Sequence, residues 1–205
     1  MNRVKIKLCG LFRPEDIDYA NRVHPDYIGF VFWEKSRRKV TPKQAAVLKN
    51  RLKPGIGAVG VFVDAPCEEI ISLLEEGTID IAQLHGDETE EYIQYIQAVT
   101  GKPVMKAVKV KDRYDVEAWL DSSADYLLFD SGMGSGIPFD WRLLSGVERD
   151  YFVAGGLHMG NLSKVLELLF PYAVDLSSGV ETDGVKDFEK MRGVVDLVRK
   201  FGNVE

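Results

Sequence analysis

Short apolar runs recur along the chain, and each is followed by a longer stretch in which apolar residues return every three or four positions. The runs predict strands at Val4–Cys9, Tyr27–Trp33, Gly57–Val63, Ile79–Leu84, Pro103–Val110, Asp125–Asp130, Tyr151–Ala154 and Ala173–Ser177. Several, such as Ala58–Val63 (AVGVFV), are apolar without alternation, as parallel strands buried on both faces require. The stretches between them read as helices. Thr41-Pro42 is an N-cap followed by proline at the first helical position, ahead of Ala45, Leu48 and Leu52. Asp64 and Pro66 are expected to open the next helix, with Ile70 and Leu74 in line and Gly77 as its stop. Asp87 precedes another, with Tyr92, Ile96 and Val99 aligned. Leu162, Val165, Leu166 and Leu169 mark another stripe, and Phe188, Met191, Val195 and Val198 the last.

Eight strands alternating with about eight helices in 205 residues gives units of roughly 26 residues, near the βα repeat. Two architectures fit, a closed (β/α)8 barrel and an open doubly wound sheet. No GxGxxG follows the first strand, which favours the barrel. With no linker or low-complexity tract, residues 1–205 read as a single α/β domain, a (β/α)8 TIM barrel.

A net charge of −6 and a pI near 5.2 argue against nucleic acid as a partner, while leaving room for a locally positive site that takes a small anion. The opening MNRVKIKLCG lacks the apolar stretch of a secretory signal, and no run is long enough to span a bilayer. Two cysteines, Cys9 and Cys67, make no disulfide framework, and no CxxC or HExxH spacing points to a metal. A reducing, cytoplasmic setting is expected.

In a barrel the chemistry lies at the C-terminal ends of the strands. Those ends carry Cys9, the KSRRK loop with Arg37 and Arg38, Asp64, the pair Gln83 and His85, Asp130, Gly155-Gly156 and Ser177-Ser178-Gly179. Turns are polar in any case, so position alone does not separate function from structure. Cys9 is either a small buried hydrophobe or a thiolate whose pKa neighbouring cations depress. Asp130 ends YLLFD, where desolvation would raise its pKa and suit it to donate a proton. Asp64 competes for that role but fits helix capping better, and Cys67 reads as structural.

The segments VAGGLHMGN and VDLSSGVET form the more specific pattern. Small residues let backbone N–H groups approach an anion, a following helix N-terminus adds a favourable dipole, and the loops after strands seven and eight are the recurrent phosphate site of this fold. In KSRRK, one arginine facing inward would suit a carboxylate, and spacing does not say which.

Taken in order, KLCGLFRPEDI, GFVFWEKSRRKV, VGVFVD, QLHGDE, LLFDSGMGSGIPFDW, AGGL and VDLSSGVET resemble the phosphoribosylanthranilate isomerases of tryptophan biosynthesis over about 180 residues. The resemblance implies a compact (β/α)8 barrel and an Amadori rearrangement of a phosphorylated small molecule without metal or organic cofactor. It implies Cys9 as base, Asp130 as acid and Arg38, not Arg37, on the substrate carboxylate. Gly155, Gly156, Ser178 and Gly179 would hold the phosphate. Gln83 and His85 are expected to touch substrate, and other tryptophan-pathway enzymes are the expected protein partners.

The chain departs from the family pattern at Phe12, Glu34, Ile137 and the HMGN that follows AGGL. Glu34 would bring negative charge toward an anionic substrate. Two other readings stand beside this one: a histidine-pathway type of phosphosugar isomerase, and a silent phosphate-binding barrel.

Overall fold

The computed structural model describes residues 3–132 and 139–201. Its strands are β1 (Lys5–Cys9), β2 (Tyr27–Val31), β3 (Gly57–Phe62), β4 (Ile81–Leu84), β5 (Val104–Lys109), β6 (Tyr126–Asp130), β7 (Tyr151–Val153) and β8 (Ala173–Leu176). Each pairs in parallel with the next and β8 pairs with β1, so the sheet closes on itself as a (β/α)8 barrel. The strands stop within two residues of their expected ends.

Among the described residues the α-helices are α1 (Pro14–Val23), α2 (Pro42–Arg51), α3 (Cys67–Glu75), α4 (Glu90–Thr100), α5 (Arg113–Glu117), α6 (Leu162–Leu169) and α7 (Phe188–Phe201). Between β6 and β7 a 3-10 turn, Trp141–Leu144, stands where an eighth α-helix was expected. Its buried residues Trp141 and Leu144 are three apart, the repeat of a 3-10 turn, and the Asp140 side chain accepts from Arg142 N–H.

Thr41 caps α2 as expected, its hydroxyl accepting from Gln44 N–H. α3 and α4 form where expected, and their caps differ. Pro66 precedes α3 without a side-chain cap, and Thr89, not Asp87, caps α4. Asp64 is structural in another way: at φ 49° its carboxylate accepts from Asp87 N–H at 2.7 Å, tying the β3 and β4 loops together. In α4 the buried residues are Ile93 and Ile96, while Val99 is 46% exposed. The buried face is turned by one position because Tyr92 lies at its edge, donating its hydroxyl to Ala65 O at 2.6 Å.

Two apolar layers result. One fills the space between sheet and helices; the other, made of Val59, Ile81, Met105, Ala107, Leu128, Phe152, Ala154 and Ala173, fills the barrel itself. Fully burying a ring such as Phe152 is worth about 2–3 kcal/mol. The lower end is closed by Tyr27, Tyr126 and Tyr172, whose rings pack on or near Phe152. Lys5 Nζ donates to Tyr172 Oη at 2.6 Å, and Tyr27 Oη lies 3.0 Å from the same atom. The interior is packed at this end, so polar groups collect at the other.

Candidate active site

Cys9 ends β1 and is buried at the upper mouth of the barrel. Lys7, two residues earlier on the same face, is fully buried, and its Nζ donates to Asp175 Oδ2 of β8 at 2.7 Å. Burial works against the Lys7 charge, but Asp175 and then Cys9 outweigh it and hold the ammonium charged. For Cys9 the balance falls the other way. Burial pushes the thiol up, Asp175 adds to that, and the pull of Lys7 and Lys186 does not reverse it. The expected depressed pKa is therefore absent: the cations are present, and desolvation outweighs them.

Asp130 ends β6, across the mouth from Cys9. Desolvation was expected to raise its pKa, and burial does act in that direction. His85, Gly132 N–H and Ser131 oppose it, and the net effect holds the carboxyl below its ordinary range. His85 Nε2 lies 3.4 Å from Asp130 Oδ2, and Gly132 N–H donates to Oδ1 at 3.0 Å. Gln83 Nε2 is 3.1 Å from His85 Nδ1. With that amide nitrogen as donor, Nδ1 accepts and Nε2 carries the hydrogen toward Asp130. Gln83 and His85 thus join the site through Asp130.

Arg38 is the inward arginine. Its Nε donates to Glu181 Oε1 at 2.6 Å and its Nη2 to Oε2 at 2.8 Å, so its carboxylate partner here is the protein's own. Arg37 reaches the same carboxylate from outside, with a side chain 61% exposed. Lys186 Nζ lies 2.7 Å from Glu181 Oε1 and 2.9 Å from Ser177 O, which links the cluster to the turn after β8. Glu34 is exposed and its carboxylate pairs with Lys39, which offsets its charge. Ile137 lies outside the described residues.

The paired glycine turn after β7 is also tight. Gly155 has φ +87°, and a Cβ there would meet Ser131 Oγ at 2.4 Å and Asp130 Oδ1 at 2.7 Å. Gly155 therefore clears space for the Asp130 carboxylate as well as opening the loop. Gly179 backs onto the same loop, where a Cβ would stand 2.0 Å from Leu157 O. HMGN forms a turn of its own, in which Asn161 Oδ1 accepts from His158 N–H and Asn161 Nδ2 donates to Gly156 O, each at 2.9 Å. Ser178–Val180 is a 3-10 turn rather than the start of a long helix, and the first N–H groups of such a turn have no partner inside it. The two loops lie against each other, as a shared phosphate site requires.

Lys7, Asp175, Glu181 and Lys186 were not singled out from sequence. A lysine and an aspartate inside apolar strands, each on the inward face of its period, were the available signal.

A family model described as N-(5'-phosphoribosyl)anthranilate isomerase matches residues 6–197. The chain belongs to the phosphoribosylanthranilate isomerase family. It is an isomerase of tryptophan biosynthesis, which retires the histidine-pathway and silent-barrel readings. The phosphoribosylanthranilate isomerase of Caldanaerobacter subterraneus subsp. tengcongensis is 44% identical over 203 residues, covering 96% of this chain and 98% of that one. That of Clostridium acetobutylicum is 43% identical over 207 residues, covering 97% and 99%. Among solved structures, the phosphoribosylanthranilate isomerase of Thermotoga maritima superposes with a TM-score of 0.88 at 32% identity, covering 96% and 99%. A further phosphoribosylanthranilate isomerase structure, with a TM-score of 0.86 at 31% identity and the same coverage, holds reduced 1-(o-carboxyphenylamino)-1-deoxyribulose 5-phosphate.

Proposed function

We propose that Cys9 and Asp130 carry the Amadori rearrangement of N-(5'-phosphoribosyl)anthranilate as base and acid. Asp130, protonated, donates to the furanose ring oxygen as the bond from that oxygen to C1 breaks. The anilino nitrogen supplies the electron pair and becomes an iminium. The C2 proton is then acidic, and the Cys9 thiolate removes it, returning the electrons to nitrogen and leaving an enolamine. Transfer of a proton from the C2 hydroxyl to C1 gives the open-chain ketone. The substrate's own nitrogen is the electron sink, so one acid and one base complete the sequence.

The observation that carries this reading is that the two groups stand buried on opposite sides of one mouth. Their resting protonation states are the reverse of those the reaction uses, with Asp130 ionised and Cys9 neutral. The productive form differs from the resting one by a single proton moved from sulfur to carboxylate. Phosphate held over Gly155 and Gly156 lies on the Asp130 side, where its negative charge favours the protonated acid. Arg38 takes the anthranilate carboxylate. Asp175 Oδ1 and Gln83 Oε1, buried and without a hydrogen-bond partner among the described residues, are acceptors for substrate hydroxyls. Base chemistry at Cys9 needs a reduced sulfur, which supports a cytoplasmic location; no helix among the described residues is long and apolar enough to cross a membrane.

The test is turnover of substrate generated in situ from anthranilate and phosphoribosyl pyrophosphate, followed by loss of its fluorescence with EDTA present. Enzyme-dependent loss is expected, and it should disappear in Cys9→Ser and Asp130→Asn. Unchanged rates in either variant would remove that residue from the mechanism.

A further inference from the structure

Glu181 is the one carboxylate among the described residues that pairs with three cations. Its side chain is 4% exposed, and it bonds Arg38 through two atoms, Lys186 through one, and Arg37 from the solvent side. Burial works against its charge, but the Arg38 hydrogen bonds and the nearby Lys186 hold it below the ordinary carboxylate range. Arg38 approaches over Gly10, where any Cβ would lie 2.4 Å from Arg38 Cδ, so the chain next to Cys9 is shaped to let this side chain through.

The two donors that Arg38 gives to Glu181 are Nε and Nη2, which share one edge of the guanidinium. A guanidinium has a second edge, formed by Nη1 and the outer hydrogen of Nη2, that can take another carboxylate in the same forked manner. Among the described residues Arg38 Nη1 has no hydrogen-bond partner. Three cations share the one carboxylate, so the cluster keeps surplus positive charge after Glu181 is counted.

We propose that Glu181 is a positioning residue: it grips the Nε edge of Arg38 and thereby presents the guanidinium's other edge to the carboxylate of the substrate. Glu181 does not compete with the substrate, because the two carboxylates use different edges. It removes the rotational freedom of a long side chain before substrate arrives, so less entropy is lost on binding. Lys186 compensates the buried negative charge and anchors the cluster to Ser177 O.

The proposal rests on the reading that Arg38 binds the substrate carboxylate, and the experiment separates the two. Steady-state kinetics are measured for Glu181→Gln, Arg38→Met and the double variant, together with competitive inhibition by inorganic phosphate. Glu181→Gln should raise KM about tenfold or more while kcat changes less than about threefold, because the lost charge loosens a binding contact and not the acid or base. In the Arg38→Met background the same change should add less than about twofold, since Glu181 acts through Arg38. Inhibition by phosphate should stay within about twofold of wild type in Glu181→Gln. A wild-type KM in Glu181→Gln, or equal effects in both backgrounds, would overturn the proposal. So would a parallel loss of phosphate inhibition, which marks general disruption of the rim. A wild-type KM in Arg38→Met would overturn the carboxylate reading itself, and the proposal with it. Should Glu181→Gln not fold, Glu181→Asp, which keeps the charge but withdraws the carboxylate by one methylene, carries the same comparison.

Discussion

His85 and Asp130 face one another across 3.4 Å at the mouth of the barrel, and Gln83 holds the imidazole from its other nitrogen. With Gly132 N–H on the second face of the carboxylate, the pair overrides the desolvation that would otherwise protonate Asp130. Opposite it, burial keeps Cys9 as a thiol. Below the Asp130 pKa both groups carry protons and no thiolate exists; above the Cys9 pKa both are bare and no acid exists. Between them one proton is shared, and the productive fraction does not depend on pH. The profile of kcat/KM should therefore be a broad plateau across neutrality, with the enzyme's acid limb below the usual carboxylate range and its alkaline limb above the usual thiol range. An alkaline limb near neutral pH would contradict these assignments.

Asp130→Asn keeps the shape of the side chain but delivers no proton to the ring oxygen. Turnover should fall by about 10²-fold or more, with affinity for a reduced product analogue nearly unchanged. Binding is measured by calorimetry. A variant as fast as wild type would exclude Asp130 as the acid.

Cys9→Ser replaces a thiol with a hydroxyl far too weakly acidic to supply a base. Rate per folded molecule, with the folded fraction taken from thermal unfolding, should drop by about 10²-fold or more. If Cys9 were only packing, the substitution would lower stability and leave each folded molecule active.

Arg38→Lys conserves charge but loses both edges of the fork, so KM should rise about tenfold or more. Arg37, mostly exposed, should tolerate the same change within about twofold. Equal effects at the two positions would mean that the inward arginine is not the one that binds substrate.

Gly156→Asp adds a side chain and a negative charge at the proposed phosphate site, and affinity should fall by about tenfold or more. Ser178→Ala leaves the backbone donors in place and should be tolerated within a few-fold. Inorganic phosphate should inhibit weakly and competitively. Retained substrate affinity in a folded Gly156→Asp protein would place the phosphate elsewhere.

The barrel was legible in the sequence because its strands are unbroken apolar runs at regular spacing, and the rim followed from it. Cys9 and Asp130 end strands that periodicity locates, whereas Arg38 was told from Arg37 only by the family resemblance. The charge states were not legible. Whether Asp130 is raised or lowered depends on His85, which lies 45 residues earlier and reaches it only through closure of the sheet. Glu181 was hidden for the same reason: in VET it reads as a loop residue, and the barrel alone brings it to Arg38. Among the described residues the 3-10 turn before β7 and the turned face of α4 are local features, the second set by the Tyr92–Ala65 bond.

The tyrosines at the foot of the barrel shut one end of the reaction chamber. With Tyr27, Tyr126 and Tyr172 closing one end around Phe152, ligand cannot pass along the axis, and product leaves by the path that substrate took. Substrate and product of the proposed reaction share a phosphate and an aromatic carboxylate, so the proposed phosphate turn and Arg38 would hold either one. On that proposal a tighter hold on those two groups would fill the site better and also delay release, so product should inhibit competitively with substrate.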